Sequence, residues 1–219
     1  MDELSETGAG ADPAETVERL LARFGRTYAQ EAGIGLRDEP RELHQLLVLA
    51  NLLSTRIGAS AAVTTARELF AAGLTEPRAV LRAPRRDVIA ALGRGGYRRY
   101  DERTATILRD AADLLVRRWD GDLRQLRAES SSTTGLLRGL PEFPGIGPTG
   151  AAIFAREVQG VWPEVSPFLD RKALDGAARL GLPRDPQALA RLVPGDRLPA
   201  LASALVRVAL VRTSGDPLA

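Results

Sequence analysis

Apolar residues recur at helical spacing along almost the whole chain, and no segment shows convincing period-two alternation. That single property excludes sheet folds and leaves a set of helices joined by short connections. Helices are expected over Thr16–Gln30, Arg41–Leu53, Ser60–Ala72, Arg85–Leu92, Asp101–Trp119, Thr133–Leu140, Pro148–Val158, Asp170–Leu180, Gln187–Leu192 and Leu198–Arg212. Arg41–Leu53 is apolar on nearly every side and reads as a central buried helix, whereas Asp101–Trp119 is strongly one-sided. Prolines and glycines punctuate the pattern, and most densely at Leu140–Gly150.

With 219 residues and no cysteine, the chain can bury a full core but can form neither a disulfide nor a thiolate-ligated cluster. No apolar run is long enough to span a membrane, and the acidic N-terminus does not resemble a secretory leader, so a cytoplasmic setting is expected. Charge is unevenly placed. Six of the 28 acids lie before Arg19, where there is no base, leaving 22 acids against 30 bases in the remainder. An acidic disordered tail over residues 1–15 followed by a basic folded part makes nucleic acid a plausible partner. All 30 bases are arginine except Lys172, so beyond the N-terminus the protein has one primary amine.

Phe143-Pro144-Gly145-Ile146-Gly147 joins two helical segments through a tight apolar turn. Ile146 is expected to point inward and lock the helices together. The amides that follow, through Thr149 and Gly150, precede the first helical hydrogen bonds and suit a phosphate oxygen. Such a contact reads backbone and not bases. The same residues also make an ordinary corner between helices. Asp170, directly before the next helix, can serve as an N-cap, and as a lone carboxylate it can also stabilise an oxocarbenium-like transition state or activate water.

The hairpin resembles the Leu-Pro-Gly-Val-Gly segment of the helix-hairpin-helix DNA glycosylase superfamily, the endonuclease III-like group. The position of Asp170 after hairpin, helix and loop, the Leu52-Leu53-Ser54 helix end, and Gly96-Tyr97 before a basic helix extend the likeness over roughly residues 36–180. The resemblance implies an all-α fold of two helical lobes with a cleft between them: residues 36–157 as a central bundle containing the hairpin, and residues 16–35 plus 158–214 as a second lobe presenting Asp170. It implies base excision, with Asp170 as the catalytic carboxylate acting on a flipped nucleotide. Relatives that also cut the strand carry a lysine just after the hairpin. Here Thr149 stands in its place and cannot form an imine, so a monofunctional glycosylase without lyase activity is expected. The four-cysteine cluster of many relatives is absent.

Pro144, Gly145, Ile146, Gly147, Thr149 and Gly150 are therefore the expected backbone-binding set, joined by Lys172 and by Tyr97 and Arg98 of a basic, aromatic-interleaved stretch (Arg85, Arg86, Arg94, Arg98, Arg99, Arg103, Arg109, Tyr100). Arg56 falls where relatives place a residue that fills the gap left by the flipped base, and is also suited to capping a helix C-terminus. His44, Gln45 and Asn51 interrupt the most apolar helix; His44 and Asn51 are candidate base-pocket residues, or else satisfied core groups. No cofactor and no metal site is expected to be required, apart from a monovalent cation on the hairpin carbonyls, as in relatives. The expected partner is lesion-containing duplex DNA, bound by a monomer. The competing expectation is a catalytically inactive protein that binds damaged or bent DNA.

Overall fold

The computed structural model describes residues 12–97, 101–130, 132–211 and 215–218, and among these there are helices and no strands. Thirteen α-helices follow one another: α1 (Pro13–Phe24), α2 (Tyr28–Glu31), α3 (Pro40–Leu53), α4 (Ala59–Ala71), α5 (Pro77–Arg82), α6 (Arg85–Arg94), α7 (Asp101–Trp119), α8 (Leu123–Ser130), α9 (Thr133–Gly139), α10 (Pro148–Val158), α11 (Arg171–Arg179), α12 (Pro186–Ala190) and α13 (Leu198–Leu210). The fold is all-α, as the apolar period requires. Several boundaries differ from expectation for local reasons. Asp12 caps α1 by accepting from the Ala14 amide, so residues 12–15 of the expected acidic tail belong to this helix and its cap. The single helix expected over Thr16–Gln30 breaks at Gly25, and a capping box between Thr27 and Gln30 restarts it as α2. The short helices α5 and α8 have no counterpart among the expected helices.

The chain divides into two compact units, residues 27–166 and residues 1–26 with 167–219. Residues 27–35 and 158–166 therefore belong with the central unit and not with the second lobe expected from the sequence. Side chains show why. The buried Glu157 carboxylate, near the end of α10, accepts the Tyr28 and Ala29 amides at 3.1 and 3.2 Å. Asp38, ahead of α3, accepts from Trp162 Nε1 and from Arg127, both at 2.8 Å. Arg127 also lies over the Trp162 ring and pairs with Glu164, which holds that carboxyl below its ordinary range. The segment after α10 is thus tied to the segment before α3.

In the smaller unit, α11 and α1 pack on α13 around Val17, Leu20, Ala173, Ala177, Leu201 and Leu205. Gly176 lets α11 and α13 approach: a Cβ there would lie 1.9 Å from the Leu205 carbonyl oxygen. Arg179 donates to the Val208 and Val211 carbonyls and so closes the C-terminal end of α13.

In the central unit, α3 is buried along nearly its full length and packs against α4 and α10. His44 lies within it, 2% exposed, with Nδ1 3.1 Å from the Thr75 carbonyl oxygen. Burial pushes the imidazole down from 6.5 to about 4, against the opposing pull of that carbonyl. The unfolded chain therefore binds more protons than the native state between those values. The stabilising effect is complete above pH 6.5 and is lost as pH falls through that window toward 4, by up to about 3 kcal/mol. Denaturant titrations between pH 7.5 and 4 should show this decline in the wild type and a flatter profile in His44→Leu.

Candidate nucleic-acid interface

The turn before α10 is built from opposing demands of its residues. Phe143 is buried against Trp119, ring centroids 5.4 Å apart, and anchors the entry. The Ile146 amide donates to the Phe143 carbonyl at 3.0 Å, which closes a four-residue turn with Pro144 second and Gly145 third. Gly145 has φ +80, the left-handed value that a type II turn needs at its third position. Ile146 is buried at 4% exposure, while Gly145 and Thr149 face solvent. Gly147 caps α10, Pro148 opens it, and the first amide to join the helical ladder is that of Ala151, donating to the Gly147 carbonyl at 2.9 Å. The amides of Thr149 and Gly150 precede that bond, so the positive end of an 11-residue helix opens at the turn.

The two glycines of the turn have different reasons to be glycine. A Cβ on Gly145 would lie 2.1 Å from Asn51 Nδ2 and 2.5 Å from Ile107 Cγ2, besides the positive φ. Gly147 has φ −96, and a Cβ there would meet nothing within 4 Å. The protein itself does not require glycine at 147. A residue without a side chain there leaves the backbone open to close approach from outside.

Other elements of the central unit converge on the turn. Asn51 donates from Nδ2 to the Pro144 carbonyl at 3.3 Å. Ser54, at the end of α3, stands 3.6 Å from where a Gly150 Cβ would be. Two residues on, Arg56 is exposed in the link to α4, so the Leu52-Leu53-Ser54 end and the hairpin form one neighbourhood. Ile107 brings α7 to Gly145, and Arg103, one turn earlier on the same helix face, is exposed. Within the basic stretch, Arg85 is paired with Glu102, Arg86 with Asp87 and Arg94 with Glu68, so each already has a carboxylate beside it. Arg103 has no carboxylate partner among the described residues, although it occupies the N-terminal turn of α7, where a cation is disfavoured. The sequence marked Arg103 only as one of many arginines, and nothing short of the Ile107–Gly145 contact separates it from the others.

Three expectations change. Tyr97 was expected to stack on bases. Its side chain is buried, with the residue 6% exposed, and its amide donates to the Leu92 carbonyl after the left-handed turn at Gly96. It is a core residue at the end of α6. Arg98, with Arg99 and Tyr100, lies outside the described residues. His44 and Asn51 do line a common cavity, but with Leu108 and Ile146 it encloses only about 10 Å³, room for at most a water and far too little for a nucleobase. Their polar atoms serve the fold through Thr75 and Pro144.

In the smaller unit, Asp170 is half-buried and caps α11, its Oδ1 accepting from the Ala173 amide at 3.1 Å. Leu169 before it is buried, and Arg171 and Lys172 after it are exposed in the first turn. Among the described residues no three His, Cys, Asp or Glu side chains converge as a metal site. No described helix is long and apolar enough to cross a membrane.

No protein-family model matches the sequence, and no curated protein matches it. Solved structures do. A non-covalent endonuclease III–DNA complex aligns with a TM-score of 0.52 at 15% identity, over 88% of this chain and 81% of that one. A trapped endonuclease III–DNA covalent intermediate, an estranged-adenine complex, aligns with a TM-score of 0.47 at 15% identity, over 89% and 85%. The first establishes that this chain has an endonuclease III-like, all-α fold.

The contrast between the two glycines has a direct consequence for stability. Gly145→Ala should cost at least about 2 kcal/mol, from positive φ and overpacking together. Gly147→Ala should leave stability within about 1 kcal/mol of wild type, because its backbone already suits alanine. Paired denaturant melts of the two variants measure this.

Proposed function

We propose that this protein binds duplex DNA, turns a damaged or mismatched base out of the helix and hydrolyses its N-glycosidic bond, without cutting the strand. The observation that carries the proposal is the hairpin. Its left-handed turn leads into the start of α10, where the Thr149 and Gly150 amides precede the first helical bond, beside a glycine whose Cβ direction is empty. A phosphate oxygen fits such a site, and the contact is indifferent to sequence. The endonuclease III structure that shares the fold is a DNA complex, which supports the same partner. In this reading Gly147, Thr149 and Gly150 supply amides, Pro144, Gly145 and Ile146 shape the turn, and Arg103 and Lys172 take flanking phosphates. Arg56, exposed where α3 ends, fills the gap left by the base. A monovalent cation on the hairpin carbonyls fits as well, since those of Phe143 and Pro144 keep a lone pair beyond their one internal bond each. The protein acts as a monomer.

The chemistry is assigned to Asp170. As the C1′–N bond breaks, the base leaves with the electron pair and takes up a proton. The sugar gains positive character that a carboxylate stabilises, and water oxygen then bonds to C1′ as its proton passes to Asp170 or to solvent. Strand cleavage through an imine needs an amine, and Thr149, exposed at the second position of α10, offers only a hydroxyl. One observation favours the alternative of a catalytically inactive DNA-binding protein: Asp170 already works as an N-cap.

Asparagine caps a helix as well as aspartate does, so Asp170→Asn separates the two roles. On a panel of lesion-bearing duplexes, the wild type should release base while Asp170→Asn loses on the order of 10²-fold or more with an unchanged melting temperature. Borohydride should trap no adduct on abasic DNA. Binding without turnover by the wild type would establish the inactive alternative, and strong trapping abolished by Lys172→Ala would overturn the monofunctional assignment. In the same duplex-binding assay, Gly147→Ala should weaken affinity despite its intact fold; full affinity would remove the hairpin from the interface.

A further inference from the structure

Asn51 is an expensive residue where it stands. It lies near the end of the most apolar helix of the chain at 4% exposure, and a buried primary amide costs free energy unless it is hydrogen-bonded. Its side chain donates to the Pro144 carbonyl, inside the turn, and its nitrogen occupies the space that a Gly145 Cβ would need. Its own backbone carbonyl accepts from the Ser54 amide at 3.2 Å and from Ser54 Oγ at 2.8 Å, while Thr55 Oγ1 donates to the Leu52 carbonyl at 2.7 Å. Those bonds close the end of α3 and set the path of the chain into Arg56. One residue thus grips the hairpin with its side chain and the Arg56 turn with its backbone. The cavity of about 10 Å³ between His44, Asn51 and Ile146 leaves the amide little room to shift.

We infer that Asn51 is a positioning residue that joins the phosphate-binding hairpin to the Arg56 turn, so that the grip on the DNA backbone and the wedge move as one rigid frame. The inference rests on the DNA reading above and adds to it what aligns the two contacts. An apolar replacement of similar size keeps the core filled but removes the donor from the Pro144 carbonyl. The Phe143–Ile146 turn then loses its tie to α3, and the amides of Gly147, Thr149 and Gly150 lose their common aim. Neutral amides displace no counterions from the DNA, so affinity falls while its dependence on salt is preserved.

The test uses the full chain, a duplex carrying a tetrahydrofuran abasic analogue, and 2-aminopurine opposite it. For Asn51→Leu we expect about tenfold weaker binding, as for one lost hydrogen bond in a preorganised site. The slope of log Kd against log salt should be unchanged, and the 2-aminopurine unstacking signal at saturating protein should be reduced. Val63→Ala, a core truncation on α4, serves as the control for simple destabilisation and should retain affinity and unstacking. Asn51→Ser, whose hydroxyl is too short to reach Pro144, provides the same readouts if Asn51→Leu does not fold. Affinity and unstacking within twofold of wild type in the Asn51 variant overturn the inference, as does an equal loss in Val63→Ala. A wild type that binds no duplex overturns the DNA reading itself, a result distinct from either.

Discussion

Much of the central unit is organised around the left-handed backbone at Gly145. Positive φ there allows the Ile146 amide to reach back to Phe143, and that bond turns the chain sharply enough for α10 to return along α3. The turn is held on three sides: Phe143 against Trp119, Asn51 against the Pro144 carbonyl, and Ile107 against the Gly145 backbone. Buried side chains thus hold a segment whose Thr149 and Gly150 amides precede the first helical hydrogen bond. Such support keeps the turn from relaxing into alternative backbone arrangements.

The far end of α10 is anchored as firmly as its start. Glu157 caps α2 with a carboxylate that is itself buried, and Asp38 gathers Trp162 and Arg127 just beyond. Buried charges are costly unless every oxygen finds a donor, and here the donors come from segments distant in sequence. These pairs hold residues 27–35 and 158–166 to the central unit. Asp170, in contrast, belongs to the smaller unit, where the close crossing of α11 and α13 at Gly176 fixes its helix. Its cap to Ala173 fixes the carboxylate at the start of α11. A structural and a chemical role are thus compatible in the same residue.

The helices were legible in the sequence wherever they were long. α3 and α7 came within a residue of their expected limits, since a dozen or more positions display the apolar period and Pro40 and the acids of Asp101 and Glu102 mark the starts. α5 and α8, of six and eight residues, had no counterpart among the expected helices. The hairpin was legible because type II turns demand proline and glycine at set places. Tyr97 was not. An aromatic beside arginines looks the same whether its ring faces solvent or core, and only the Gly96 turn sends this one inward.

Asn51 and His44 mark the boundary most clearly. Chain composition made them exceptional, as polar groups in an apolar helix, and local chemistry required that each find a partner. Which partner it was depended on loops 31 and 93 residues away. The sequence by itself determined an all-helical protein, a turn of one backbone type and a carboxylate at a helix start, because those follow from period, φ and capping within a few residues. The tertiary structure alone decided that His44 and Asn51 bond the Thr75 and Pro144 carbonyls instead of lining a base-sized pocket, and that Gly145 serves the fold while Gly147 is left open. Those outcomes depend on which distant atoms occupy the adjoining space, and short-range sequence does not encode that.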